Sequence, residues 1–365
     1  MRYYGLGRFT LFLLLGSLPA PVLFAGDATK PAAIDWIDTH VHLLGGRGDF
    51  GGAAKAAVAA MDESAIKICV VMPPPQVSGG ARPPFDWKQF KDALQAYQGR
   101  FAFLGGGGTL NPMIQENVAD KVTDEIKRRF ETAADEILSA GAAGFGEIAA
   151  HHLSLHDGHP YESVPADHPL LLLLADIAAR HDAVIDLHFD LVPEDTNVPE
   201  RFSEFANPKK FTANRIAFEK LLEHNRSAKI VWAHAGSDPL GNRTPAICRE
   251  LLTRHSNLYM SLRIATSGRA QGMAGITPPS TAFSNDGEIV PEWLKLFKDF
   301  PDRFVIGGDQ FILSPQIPGA SPAAAFAKGA PVTRERTQKF LAALPADLAR
   351  KIGTENAQRL YKFNR

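Results

Sequence analysis

The stretch AVIDLHF, residues 183–189, decides the architecture of this chain. Apart from Asp186 and His188 it is a continuous apolar run. Such a run suits a parallel strand covered by helices on both faces. IKICVVM, residues 66–72, reads the same way. Working outward from these two, strands are predicted at 34–42, 66–72, 101–105, 142–148, 183–189, 230–234, 258–262 and 304–308. Segments of helical period separate them. The clearest is 116–140, where Val118, Val122, Ile126, Phe130, Ala134 and Ile137 recur at spacings of three or four. Others fall at 52–63, 87–97, 168–180, 213–224, 244–255, 291–300 and 333–344. Alternation of this kind predicts an α/β protein, a (β/α)8 TIM barrel forming a single domain over residues 26–365. An open doubly wound sheet fits less well, because no phosphate-binding glycine fingerprint follows the first strand. GGRGDFGG, residues 45–52, reads as a flexible loop.

The chain is long enough, at 365 residues and 45% apolar, for one large core. Its 39 basic and 40 acidic residues nearly balance, and no basic stripe breaks that balance, which argues against nucleic acid as a partner. Arg2 and Arg8 precede an apolar run from Phe9 to Phe24. This reads as a secretory signal peptide over residues 1–25, cut after Ala25. Pro19 and Pro21 interrupt the run, so no stable membrane anchor is expected after cleavage. The protein is expected to be exported, periplasmic or secreted. Cys69 and Cys248 read as two buried free thiols.

Five long connections follow predicted strands, at 73–85, 153–167, 190–212, 263–290 and 310–331. Loops beyond about 12–15 residues are uncommon in compact domains unless they serve a site. In a barrel all five would lie on the C-terminal face, where barrel enzymes carry their active sites. Residues with ligand-type side chains fall at the same ends. His40 and His42 close the first strand and point to one side of it. Glu147 lies near the end of the fourth, His188 of the fifth, His234 of the sixth, and Asp309 just beyond the eighth. Imidazole and carboxylate donors suit Zn²⁺ and similar cations.

IDTHVHL (37–43), GFGEI (144–148), DLHFD (186–190), VWAHAG (231–236) and VIGGDQF (305–311), in that order, resemble the amidohydrolase superfamily. The tail GTENAQRLYKF (353–363) is similar to the closing segment of its amidohydrolase-related branch. The resemblance implies a metal held by His40, His42, His188 and Asp309. His234 would bind a second metal or polarise the substrate. At the fourth strand, where many two-metal members carry a carboxylated lysine, this chain has Glu147. The GEI segment resembles that of TatD-like nucleases, whose glutamate bridges two metals. Glu147 is therefore either a ligand or a residue that orients one, and the count of one or two ions, most simply Zn²⁺, stays open.

The resemblance implies a metal-dependent hydrolase acting on a small molecule. An ion at such a site acidifies a water molecule. Asp309 would take the proton of that water, which attacks an ester, lactone or amide carbonyl, and His234 or the metal would stabilise the oxyanion. Arg263 is a candidate clamp for a substrate carboxylate, and His151 and His152 are candidates to line the mouth. Phe50, Phe85, Trp87, Phe189 and Phe311 lie near strand ends and could wall the pocket, most of them as core. A decarboxylase of an unsaturated or aromatic acid is the alternative enzyme. A barrel that binds metal or ligand without turnover is the alternative from another class. Substrate and oligomeric state are not written in the sequence.

Overall fold

The structure, a computed structural model, describes residues 33–77, 84–156, 159–264, 280–319, 321, 324 and 327–363. Contacts divide the chain into Met1–Ala32 and one compact unit, Ala33–Arg365. The predicted leader, residues 1–25, lies outside the described residues. Among the described residues, no helix is long and apolar enough to cross a membrane.

Eight strands follow one another: β1 (Trp36–Leu44), β2 (Ile66–Val71), β3 (Phe101–Phe103), β4 (Gly144–His152), β5 (Val184–Phe189), β6 (Lys229–Ala235), β7 (Leu258–Leu262) and β8 (Phe304–Ile306). Eight longer helices alternate with them: α1 (Phe50–Glu63), α2 (Trp87–Gln95), α3 (Asp124–Ser139), α4 (Pro169–His181), α5 (Arg215–His224), α6 (Pro245–Arg254), α7 (Pro291–Asp299) and α8 (Ala330–Ala343). All neighbouring barrel strands run parallel. β1, β2 and β3 form one ladder, and β4 to β8 form another in sequence order.

Two breaks in the chain join the ladders. The third strand pauses at Leu104, so that Phe101–Phe103 pairs with β2 and Gly105–Gly106 pairs with β4. The eighth pauses over residues 307–309: Phe304–Ile306 pairs with β7, and Gln310–Leu313 pairs with β1. The order thus returns to its start, which is the (β/α)8 barrel. Side chains close the second break where ladder bonds are missing. Thr39 Oγ1 donates to the Ile306 carbonyl at 2.9 Å. Gly308 N donates to Asp38 Oδ1 at 2.8 Å, and Gln310 Nε2 donates to the same carboxylate. Only glycine fits at Gly307, where a Cβ would lie 1.9 Å from Ser261 Oγ and 3.0 Å from His40 Cβ.

Apolar alternation fills both sides of the sheet. Ile37, Val70, Met72, Leu104, Val184, Val231 and Val305 pack inside the ring. Trp36, Val71, Phe145, Leu187 and Trp232 pack outward, in the larger layer between strands and helices. Cys69 and Cys248 are free and buried, as the sequence suggested.

Two local expectations are corrected. The periodic segment 116–140 is not one helix, because α3 begins at Asp124. Thr123 caps it, its hydroxyl accepting from Ile126 N, and Asp124 and Glu125 favour that start by facing the positive helix end. Val118 is correspondingly exposed. The glycine stretch 45–52 does not stay a loop either. Asp49 accepts from Gly52 N at 2.9 Å and from the Ser314 hydroxyl, which starts α1 at Phe50.

Candidate metal centre

The side chains that gather at the strand ends do so by two routes. On β5 plain alternation suffices: Val184, Asp186 and His188 share a side, while Ile185 and Leu187 pack outward. On the other donor strands the alternation changes phase. On β1 the inward residue is first Ile37 and then His40 and His42, and the β1–β2 register shifts between Asp38 and Val41. β4 shifts between Phe145 and Ile148, around Glu147. β6 shifts between Trp232 and Ala235, around His234. Bulges of this kind re-aim side chains at sites. His234 and Asp309 also have positive φ, 62° and 49°, a costly backbone region for these residues that concentrates at functional positions.

The Glu147 carboxylate is the centre of the arrangement. Its Oε2 lies 3.3 Å from His40 Nε2 and 3.4 Å from His42 Nε2. Its Oε1 lies 2.8 Å from His188 Nδ1 and 3.2 Å from His234 Nε2. Asp309 Oδ1 stands 3.4 Å from His42 Nε2 and 3.9 Å from His40 Nε2. His188 therefore does not share one compact set with His40, His42 and Asp309. It stands with His234, 3.2 Å away, across the glutamate. His40, His42, Glu147 and His234 are buried, and His188 and Asp309 are nearly so.

Three partners hold the imidazoles in place. His42 Nδ1 meets the Met72 carbonyl at 3.0 Å, leaving Nε2 to face the centre. His40 Nδ1 lies 3.2 Å from Asp186 Oδ1. His188 Nε2 lies 3.3 Å from Asp190 Oδ2. Asp186 and Asp190 escaped the sequence reading as site residues, although both lie in DLHFD, each two positions from His188. The spacing was the available signal.

Burial and neighbouring charges set the acidity of these groups. Burial opposes charge on His40, but the carboxylates of Asp186 and Glu147 outweigh it and hold its pKa well above the usual imidazole value. Burial likewise opposes charge on His188, and Asp190 with Glu147 raises it to about 9. Burial lowers His234 to about 4. Burial would raise the carboxyl of Glu147, yet His40, His188 and His234 hold it well below its usual range. Asp309 is held low against its burial chiefly by Arg263, whose Nη1 is 2.8 Å from its Oδ2. His40, His42 and Asp309 bring one donor atom each within 4.8 Å of one another, as do His40, Glu147 and His234. Nitrogen and carboxylate oxygen donors in this density fit a divalent cation such as Zn²⁺.

The centre opens into a cavity of about 430 Å³, within the range of small-molecule sites. Pro74, Pro75, Leu155 and Phe311 give it apolar wall, and Arg263 and His152 give it polar wall. Of the aromatics singled out in the sequence, only Phe311 lines this space. Phe50 and Phe189 are core, with Phe85 and Trp87 packed against it. His151 is also corrected. Its Nδ1 bonds the Asp190 carbonyl at 2.6 Å and its Nε2 meets the Tyr161 hydroxyl at 3.2 Å, so it faces away from the cavity. Ile148 and Ala150 pack outward, and continued alternation would have pointed His151 inward. A second register shift between Ala149 and His151 brings His152 in instead.

Residues 37–363 match the amidohydrolase family profile, nearly the whole described chain. The chain belongs to the amidohydrolase family. It is accordingly an enzyme of the metal-dependent hydrolase kind. Among curated proteins none matches this amidohydrolase significantly. Similar solved structures include an amidohydrolase II, 14% identical over 90% of this chain and 100% of that one, with a TM-score of 0.48. A dihydroorotase from Campylobacter jejuni is 16% identical over 90% and 83%, with a TM-score of 0.41. An amidohydrolase 2 from Bifidobacterium longum subsp. infantis is 14% identical over 91% and 100%, with a TM-score of 0.42.

Proposed function

We propose that this amidohydrolase hydrolyses an ester, lactone or amide bond of a small organic molecule, using two divalent ions, most simply Zn²⁺. The observation that carries the two-ion reading is the division of Glu147: Oε2 faces His40 and His42, and Oε1 faces His188 and His234. His40, His42 and Asp309 would serve one side, His188 and His234 the other, with Glu147 common to both. His234 is placed among the ligands because its Nε2 is the atom turned toward Glu147 and His188.

A divalent ion bound there acidifies water and polarises a carbonyl oxygen. The protein supplies the rest. Asp309 adjoins His42 and lines the cavity, where its carboxylate would take the proton of the attacking water and return it to the leaving group. Asp186, Asp190 and the Met72 carbonyl hold the rings of His40, His188 and His42 in position. The apolar wall of Pro74, Pro75 and Phe311 limits water around the reacting bond. The leader read at residues 1–25 supports export, and outside the cytoplasm the enzyme would act on incoming compounds.

Metal analysis and turnover test this together. The purified protein should hold two ions per chain, and Glu147→Gln should hold fewer. The zinc-loaded protein should open members of a panel of lactones, esters and amides. Asp309→Asn should lower kcat/KM by roughly 10²–10⁴. Release of CO₂ from unsaturated or aromatic acids, with no hydrolysis of the panel, would replace the reading with a decarboxylase.

A further inference from the structure

We propose that the substrate carries a carboxylate and that Arg263 is the residue that binds it, an inference that rests on the metal-hydrolase reading because it needs a cation to share Asp309. Among the described residues, Arg263 is the only lysine or arginine lining the cavity. Its backbone is fixed, with N donating to the Ala235 carbonyl at 2.9 Å, directly after His234. Its side chain is only 15% exposed and meets one acid, Asp309, through Nη1. Its Nε–H is buried and has no partner among the described residues. A guanidinium offers five donors in a planar fork that matches a carboxylate bidentately. Most of that capacity is unspent here.

Asp309 is also the acid whose other oxygen faces His42 and which completes the His40/His42 donor group. A cation at that group draws on the same carboxylate that balances Arg263. The guanidinium then keeps positive charge and spare donors toward the cavity. Pro74, Pro75, Leu155 and Phe311 cannot solvate an anion. Beside the polar atoms of Ser237, His152, His156 and His159, the guanidinium of Arg263 is the one permanent cation among the described lining residues, so it is the strongest partner for an acidic group in this space. The same apolar surface suits the ring or chain that bears the acid.

Benzoate and benzamide are matched probes, alike in shape and different in charge. Calorimetric binding to the zinc-loaded enzyme should favour benzoate at least tenfold. At equal zinc content, Arg263→Gln should lose at least fivefold in benzoate affinity while benzamide binding changes less than twofold, and Arg263→Lys should fall between. A benzoate preference below tenfold, or one that loses less than fivefold in Arg263→Gln, overturns the proposal. Should the variants not fold, the wild type decides. Benzoate should protect Arg263 from phenylglyoxal, read by peptide mass, and absence of protection overturns the proposal. Hydrolysis is scored separately. A preference that follows Arg263 in a protein that opens no ester, lactone or amide keeps the anion site and removes the hydrolase reading. Turnover of neutral and acidic esters alike, unchanged in Arg263→Gln, does the reverse.

Discussion

The carboxylate of Asp186 stands 3.2 Å from Nδ1 of His40, with both side chains completely buried. The two come from strands on different parts of the ring, and the contact fixes which nitrogen of His40 remains for a cation. An acid behind a ligand imidazole sets its tautomer and raises its basicity.

Asp186→Asn keeps the shape and removes the charge. Zinc affinity, measured by competition with a chelator, should fall by roughly 10–100-fold. Affinity within twofold of the wild type would show that His40 is oriented without its neighbour.

Glu162 provides a pH test. Its carboxyl accepts from Asn111 Nδ2 at 2.7 Å and is buried, and burial lifts its pKa from 4.5 to about 7. The folded state thus keeps a proton that the unfolded state releases. The stability this contributes is full below pH 4.5 and is lost as pH rises through about 7. Glu162→Gln cannot ionise. In urea unfolding it should match the wild type near pH 4 and exceed it at pH 8 by roughly 3 kcal/mol, from 1.36 kcal/mol per unit. A difference that does not vary with pH would refute the assignment.

Gly307→Ala should destabilise the fold by roughly 1–3 kcal/mol, as overpacking does. The new methyl would press on Ser261 Oγ and His40 Cβ. Adding Ser261→Gly should restore part of the loss and of the zinc affinity. A single Gly307→Ala variant with an unchanged urea midpoint would mean that β7 yields freely at this point.

Loss of the Thr39 hydroxyl tests the closure of the ring. Thr39→Val removes the bond to the Ile306 carbonyl, which is buried on both sides, and should cost about 1–3 kcal/mol. Hydrogen exchange should rise in β1 and β8 ahead of the other strands. Uniform exchange across the ring would contradict a joint held by side chains.

Strand order and donor types were legible because they depend on local pattern. AVIDLHF keeps strict alternation, so Asp186 shares the inward face with Val184 and His188, the one site residue read there. The limits of β4 were not legible. Its last residues, GEIAAHH, are neither clearly apolar nor alternating, and the strand runs on to His152 through two changes of phase. A bulge leaves no mark in hydropathy, which is why His151 read as a rim residue and His152 did not stand apart from it. The pairing of Arg263 with Asp309 was also invisible, since it joins two strand ends 46 positions apart through loop geometry. The split of the donors across Glu147 is likewise a distance relation, and residue type alone left both metal counts open.

The seam between the first and last strands has a consequence for synthesis. Asp38 and Gly308, which bond across it, are 270 positions apart, and His40 and Asp309 adjoin them. A nascent chain halted anywhere short of Asp309 has histidines but no acid from the final strand to set beside them. Completion of the proposed site thus waits until synthesis has passed Asp309, and fragments that stop short of it should be inactive.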